Sequence, residues 1–152
     1  MPTTLTQTKP SPISSSGDYE LWIVPQDTVR LIWDSCRNHV EKATRRSGGR
    51  YTPNDIRSAV SFGMMQLWII KTAALIHAVG VTEINKHPGG NELNIVLVGG
   101  THAKYWQHLL SGIEDWGREQ NCKWVVATGR RGLTHMLNDG WSETQRMYEK
   151  EL

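Results

Sequence analysis

One stretch, residues 92–116 (ELNIVLVGGTHAKYWQHLLSGIEDW), constrains the fold more than any other part of the chain. It begins with apolar residues on both faces, as expected for a strand that is covered on both sides. The run breaks at Gly99 and Gly100, after which large apolar residues recur at helical spacing from Trp106 to Trp116. A strand that turns through glycines into a helix points backbone N–H groups at one spot, at the positive end of the helix dipole. The stretch therefore predicts an anion-binding turn.

The rest of the chain predicts strands and helices on either side of that stretch. Helical spacing over residues 29–43 predicts a first helix, and Thr52 followed by Pro53 predicts the start of a second. Residues 133–138 are expected to form a last short helix, and the tail 142–152 fits either a strand or a polar helix. Strands are predicted at residues 19–24, 66–70, 74–84, 92–98 and 123–128.

The connections between these strands predict the fold class. The turn at residues 87–90 (HPGG) favours an antiparallel hairpin between the strands at 74–84 and 92–98. Because a helix separates the strand at 92–98 from that at 123–128, these two are expected to be parallel, with a right-handed crossover. The predicted class is α/β with a mixed (α+β) sheet, in which antiparallel strands are followed by a strand–helix–strand parallel pair.

The length and composition predict one domain. At 152 residues the chain is long enough for one core, which we expect to span residues 19–152. Residues 1–18 are rich in Ser, Thr and Pro and are expected to form a flexible arm, which can still dock on a partner or on the domain. The N-terminus lacks the pattern of a secretory signal. The apolar run at 62–81 contains Lys71 and is better explained by two strands than by a membrane span.

The charge and the cysteines exclude several classes of function. A formal net charge of +2 argues against nucleic-acid binding. Cys36 and Cys122 are far apart, without the spacing of metal ligands, and are expected to be free thiols in a reducing, cytoplasmic compartment. No group of His, Cys, Asp or Glu has metal-ligand spacing, so no metal is predicted.

The order of elements supports a resemblance to a known family. Together with residues 113–116 (IEDW), 124–126 (WVV), 129–133 (GRRGL) and 137–141 (LNDGW), it resembles the GNAT-type N-acetyltransferase fold over residues 19–152. The overall pattern of the sequence also resembles that of small GNAT-like proteins of tailed bacteriophages. The resemblance implies a GNAT-like acyltransferase that moves an acetyl group from acetyl-CoA to a small amine or a protein amino group.

The resemblance also implies where the cofactor binds. In the family, backbone amides of the strand-to-helix turn hold the pyrophosphate of acetyl-CoA. The family's Arg/Gln-x-x-Gly-x-Gly/Ala spacing is absent from the matching turn here, and the usual Tyr near the final short helix is missing. The positions that match the turn are Val98, Gly99, Gly100, Thr101, His102, Ala103 and Lys104.

A further candidate cofactor contact, Arg130, follows the predicted parallel strand. With Arg131 it is expected at the end of the sheet where ligands bind in open α/β folds, so it is a candidate contact for phosphate. A bridge to Asp139 or Glu114 accounts for such an arginine equally well.

Three residues are candidates for the base that takes the proton of the amine: Glu83, Glu92 and His102. The two glutamates are expected at the ends of neighbouring strands, where a solvated charge explains them as well. His102 falls within the predicted anion-binding turn, where it can contact a phosphate or cap a helix.

A second hypothesis keeps the fold without catalysis. The missing family spacing, the missing Tyr and the seven tryptophans favour a catalytically inactive GNAT-fold interaction or assembly protein, such as a bacteriophage virion component. It predicts a protein partner or a homo-oligomer, in the host cytoplasm or in the virion.

Overall fold

A computed structural model of the protein describes residues 11–128, 137 and 139–152. Its centre is a six-stranded sheet in which the strands lie in chain order. The strands are β1 (Ser14–Ser16), β2 (Tyr19–Ile23), β3 (Gln66–Lys71), β4 (Ile76–His87), β5 (Gly90–Gly100) and β6 (Cys122–Ala127). Neighbours from β1 to β5 are antiparallel, whereas β5 and β6 are parallel, as the sequence predicts.

Three α-helices among the described residues pack on this sheet: α1 (Val29–Thr44), α2 (Pro53–Ser61) and α3 (Ser111–Glu119). The predicted start of α2 is confirmed as a capping box. Thr52 Oγ1 accepts a hydrogen bond from the Asp55 N–H at 3.2 Å, and the Asp55 carboxylate accepts one from the Thr52 N–H at 2.8 Å. Hydrogen bonds from the Thr52 backbone and side chain lower the pKa of Asp55.

The sheet has a separate apolar core on each face. On the face that packs against α1 and α2, here called the α1 face, β4 contributes Val79 and Val81. On the opposite face, here called the α3 face, β3 contributes Trp68 and β5 contributes Leu93, which pack with Ile113 of α3. β5 contributes Leu97 to the core on the α1 face and Leu93 to the core on the α3 face, so this strand is covered on both sides, as predicted for residues 92–98.

The prediction that a helix begins directly after Gly100 is wrong. Two 3₁₀ turns, Ala103–Tyr105 and Gln107–Leu110, come first, and α3 begins only at Ser111. Trp106 separates the turns with a non-helical φ of −133°. Its side chain is 1% exposed and its indole N–H donates to the Thr101 carbonyl at 2.8 Å. The backbone therefore forms two 3₁₀ turns here, which bury this indole against the sheet, instead of a regular helical turn.

Part of the arm predicted at residues 1–18 docks on the domain, one of the two possibilities left open for it, and is not flexible there. Residues 14–16 form β1, which pairs with β2. The Ile13 N–H donates to the Leu21 carbonyl at 2.8 Å, and Ser14 Oγ donates to the Leu109 carbonyl at 3.2 Å. These bonds use the backbone and a hydroxyl group, so the segment is ordered without large apolar side chains. Residues 1–10 lie outside the described part.

At the other end of the chain, residues 142–152 form neither of the two structures predicted for them, because they have no regular secondary structure. The helix predicted at 133–138 lies outside the described residues except for Leu137. The hairpin predicted at 87–90 is confirmed by the pairing of His87 with Gly90. None of the described helices combines the length and the apolar character needed to cross a membrane.

Candidate functional site

The parallel strands β5 and β6 separate partway along their length. Their pairing ends at Ile95 and Ala127, whereas β5 continues to Gly100 with β4 as its one described partner strand. On the α3 face, a cavity of about 50 Å³ lies at this separation. Its apolar wall is formed by Ile95, Val98, Leu110, Ala127, Leu137 and Trp141. We call this cavity the β5–β6 cleft.

The β5–β6 cleft also has polar walls. They come from the segment between β5 and β6, and they are Gln107, His108, Ser111 and Glu114. The hydroxyl of Ser111 donates to the His108 carbonyl at 3.1 Å, which joins the second 3₁₀ turn to α3. Neither Trp106 nor Trp124 lines this cleft: Trp106 is buried in the core, and Trp124 is on the α1 face. Neither of these tryptophans therefore fills the cleft.

A β-bulge lies beside the point where the two strands separate. Val81 pairs with Leu97 and Thr82 pairs with Ile95, so Val96 has no register partner on β4. Bulges disrupt the ladder locally and are frequent next to active sites, where they redirect a backbone or side-chain group. A backbone N–H redirected at this point is the kind of donor that can stabilise an oxyanion.

The predicted anion-binding turn is displaced by one residue from the glycines. Gly99 and Gly100 are the last residues of β5, and the turn begins at Thr101, whose N–H donates to the His77 carbonyl at 3.0 Å. His102 has a left-handed φ of 59°. The N–H groups of His102, Ala103 and Lys104 have no acceptor among the described residues. They remain available to an anion.

The helix dipole does not contribute to this turn as the sequence predicted. α3 begins at Ser111 rather than at Gly100, and only a three-residue 3₁₀ turn follows His102. Since the dipole effect falls off within the first turn of a helix, α3 does not act on an anion at residues 101–104. What remains is the three amides without an acceptor, those of residues 102–104, and the ammonium group of Lys104.

The two glycines are explained by close packing rather than by the turn. A Cβ on Gly99 would lie 2.7 Å from the His39 carbonyl oxygen and 3.1 Å from Ala43 Cβ, because α1 crosses β5 there. A Cβ on Gly100 would overlap Ala78 of β4. Of the seven residues assigned to the turn from sequence, Val98 is the one that lines the β5–β6 cleft.

Glu83 and Glu92 lie on the α1 face of the sheet. Their neighbours Ile84 and Leu93 pack on the α3 face, and side chains alternate along a strand. The amide Nδ2 of Asn94 donates to the Glu83 carboxylate at 3.0 Å. Asn94 is two residues from the bulged Val96 and on the same face, so Glu83 is the carboxylate nearer to the bulge.

Glu92 is two register positions further from the bulge than the pair of Glu83 and Asn94. Its carboxylate lies 2.7 Å from Nε2 of His87, and its side chain is 21% exposed. On β6, Trp124 pairs with Glu92 in register and is 43% exposed. This end of the α1 face therefore carries polar groups and one exposed indole.

His102 is remote from both glutamates. From Asn94, the partner of Glu83, to Gly100 the strand extends roughly 20 Å at ~3.3 Å per residue, and His102 lies beyond that end. The pKa of His77, near His102, is lowered mainly by burial. Charge repulsion from the rings of His102 and His39 lowers it further. The three candidate bases thus do not form one group: two lie near the bulge and one lies at the turn. Arg130 and Arg131 lie outside the described residues.

The polar walls of the β5–β6 cleft were missed by the sequence analysis. Gln107, Ser111 and Glu114 recur at helical spacing, opposite the apolar stripe used to predict the helix. That polar stripe beside a predicted parallel strand pair was the signal that could have identified them. Among the described residues, no three His, Cys, Asp or Glu side chains are grouped to hold a metal ion.

The sequence matches no protein-family model and no curated protein. The fold, in contrast, is similar to those of solved acetyltransferases. A GNAT family acetyltransferase from Staphylococcus aureus superposes with a TM-score of 0.60 at 13% identity, covering 90% of this chain and 100% of that chain. A GCN5-related N-acetyltransferase from Ralstonia eutropha gives a TM-score of 0.63 at 16% identity, covering 88% and 98%.

A further similar structure is an aminoglycoside acetyltransferase from an uncultured soil metagenomic sample, solved in complex with sisomicin. Its TM-score is 0.61 at 5% identity, and the match covers 89% of this chain and 97% of that chain. At such low identities the similarity shows the fold alone. The chain has the GNAT fold, with the mixed sheet and the parallel β5–β6 pair that the sequence predicts.

Proposed function

We propose that the protein is a GNAT-like acyltransferase that moves an acetyl group from acetyl-CoA to an amine. The observation that carries this proposal is the bulge at Val96, directly beside the point where β5 and β6 separate and the cleft opens. Such an arrangement can hold a thioester close to backbone donors on one side and admit an amine from the other side. The proposed acceptor is a small amine or a protein amino group.

The residues present fit acetyl-CoA at two places. The free amides of His102, Ala103 and Lys104, with the Lys104 ammonium group, suit the phosphates, and the mostly apolar β5–β6 cleft suits the uncharged arm. When bound, the cofactor supplies an acyl group activated as a thioester. Within the turn predicted from sequence, we assign residues 101–104 to the phosphates and Val98 to the arm. Arg130 remains a proposed phosphate contact.

We assign the role of base to Glu83. Its carboxylate is held by Asn94, on the face opposite the β5–β6 cleft and near the bulge. An amine that approaches from the α1 face can pass its proton to this carboxylate directly or through one water. Glu92 is a second candidate on the same face, and His102 is assigned to the phosphates because of its distance.

Isothermal titration calorimetry with acetyl-CoA tests the proposal. We expect saturable binding that weakens on Lys104→Ala, because this substitution removes one charge from the phosphate end. Lys123→Ala is the matched control, since Lys123 lies over the exposed Trp124 ring, away from the cleft. Absence of heat at millimolar acetyl-CoA, with a folded protein, would exclude the enzymatic proposal.

The alternative is a catalytically inactive GNAT-fold protein that serves in an assembly, such as a phage particle. Two observations favour it: the helix dipole is absent from the turn, and two large apolar side chains, Phe62 and Met64, are 78% and 73% exposed side by side after α2. This alternative predicts a stoichiometric protein partner or a homo-oligomer. With free thiols at Cys36 and Cys122, either version fits a cytoplasmic protein.

Analytical ultracentrifugation separates the two proposals. For the assembly protein we expect a stable oligomer that Phe62→Ser disrupts, together with no transfer of acetyl groups to any of a panel of amines. A monomer that turns over acetyl-CoA with an amine would rule out the assembly role.

A further inference from the structure

Trp141 contributes the largest side chain to the wall of the β5–β6 cleft. Like Leu137, it comes from the chain after β6, and it directly follows Gly140, which has a positive φ of 96°. It is half-buried, so its indole ring is partly in contact with the protein and partly exposed at the cleft. An indole offers a large flat apolar surface and one N–H donor.

The charge of the cleft restricts what it can bind. Glu114 supplies the one carboxylate among the described wall residues, and the same wall carries the amide group of Gln107. A phosphate placed beside Glu114 would be repelled. An uncharged chain with amide groups fits these residues well: its N–H groups can donate to Glu114, and its carbonyls can accept from the indole N–H of Trp141 or from Gln107.

We propose that Trp141 is a positioning residue for the amide-bearing arm of the acyl-CoA, with Glu114 as the acceptor for an N–H group of that arm. The inference rests on the proposed acyltransferase function and adds to it the side chains that hold the arm. By covering the arm, Trp141 fixes the depth of the thioester relative to the bulge at Val96. The phosphates then lie outside the cleft, at residues 101–104.

In this arrangement, different residues contribute the binding free energy of the two ends of the cofactor. The phosphate end depends on Lys104 and three backbone amides, whereas the arm depends on Trp141 and Glu114. A probe that has the arm and the thioester but no phosphates, acetyl-pantetheine, should therefore respond to changes at Trp141 and Glu114 but not to changes at Lys104. This difference is a readout that a merely structural role for Trp141 would not produce.

The test compares Trp141→Phe with the matched variant Trp124→Phe, which makes the same change on the opposite face. Calorimetry and tryptophan fluorescence are followed with acetyl-CoA and with acetyl-pantetheine. We expect both ligands to quench emission of the wild type and of Trp124→Phe. In Trp141→Phe, the quenching should be lost and both affinities should fall about tenfold, equivalent to ~1.4 kcal/mol. A melting temperature close to that of the wild type shows that the variant is folded.

Glu114→Gln and Lys104→Ala complete the test. Glu114→Gln should weaken both ligands by the same factor, and Lys104→Ala should weaken acetyl-CoA alone. Unchanged affinity and quenching in Trp141→Phe, with acetyl-CoA still bound by the wild type, would overturn the inference and leave the proposed function intact. Failure of the wild type to bind acetyl-CoA at all would overturn both.

Discussion

Gly99 allows α1 to lie very close to β5. A Cβ at this position would lie 2.7 Å from the backbone oxygen of His39, a contact that only a shift of α1 can relieve. We therefore expect Gly99→Ala to lower the free energy of unfolding by about 1–3 kcal/mol, measured by urea denaturation. Gly80→Ala is the control, because its new Cβ would be 3.6 Å from Trp68. A smaller loss in Gly99→Ala than in Gly80→Ala would contradict this account.

The buried thiol of Cys36 makes stability depend on alkaline pH. Burial raises the pKa of Cys36 from 9.0 to about 11, so the unfolded chain loses the proton first. Stability is then fully present below pH 9 and falls as the pH rises from 9 to 11, by roughly 2–3 kcal/mol. The loss should appear in reduced wild-type protein as a lower urea midpoint, and Cys36→Ala should show less of it. Parallel pH profiles for the two proteins would argue against the buried thiol as the cause.

Glu83 and Glu92 offer a comparison of two carboxylates on one sheet face. If Glu83 takes the proton of the amine, Glu83→Gln should lower kcat about 10²-fold or more with little change in the affinity for acetyl-CoA. Glu92→Gln should lower kcat far less, since Glu92 pairs with His87 and is further from the bulge. Steady-state kinetics at neutral pH distinguishes them, and equal losses in the two variants would count against Glu83 as the base.

At the scale of elements, periodicity predicted most of the fold correctly. The helical spacing of α1, the Thr52–Pro53 start of α2 and the hairpin at 87–90 depend on residues close in sequence, and all three are present. The prediction of a helix directly after β5 was wrong. Trp106 falls on the apolar stripe of a helix in the sequence, but two 3₁₀ turns bury its side chain equally well. The glycines at 99 and 100 were interpreted as a turn, because their close contacts with α1 and β4 involve residues distant in sequence.

The turn around Trp106 can be tested against another buried indole. Trp106 and Trp33 are both 1% exposed, but only Trp106 has a hydrogen-bond partner for its N–H, the Thr101 carbonyl; that of Trp33 has none among the described residues. Trp106→Phe should therefore cost about 1 kcal/mol more than Trp33→Phe in the free energy of unfolding. Faster hydrogen exchange at residues 101–105 is expected in Trp106→Phe alone. Equal costs would show that the indole hydrogen bond does not hold the turn.

For the whole molecule, the N-terminal segment links the edge of the sheet to α3. β1 pairs with β2, and Ser14 bonds to the Leu109 carbonyl just before α3. At Gly112 of α3, a Cβ would lie 2.9 Å from Ser14 Oγ and 3.0 Å from Ile13 Cγ2, so the glycine lets the segment cross the helix closely. A composition rich in Ser and Pro gave no sign of this, because the contacts are made by backbone, a hydroxyl and one glycine.

Removal of residues 1–17 should therefore affect more than the end of the chain. We expect the loss of several hydrogen bonds to lower the free energy of unfolding by about 2 kcal/mol or more. Hydrogen exchange should become faster in β2 and also at residues 107–113, because the segment bonds to both. Removal of residues 1–10 is the matched control, since it leaves every described contact of β1 in place, and Gly112→Ala should reproduce part of the effect in the full chain. If both truncated proteins melt at the same temperature as the full chain, β1 does not hold α3 against the sheet.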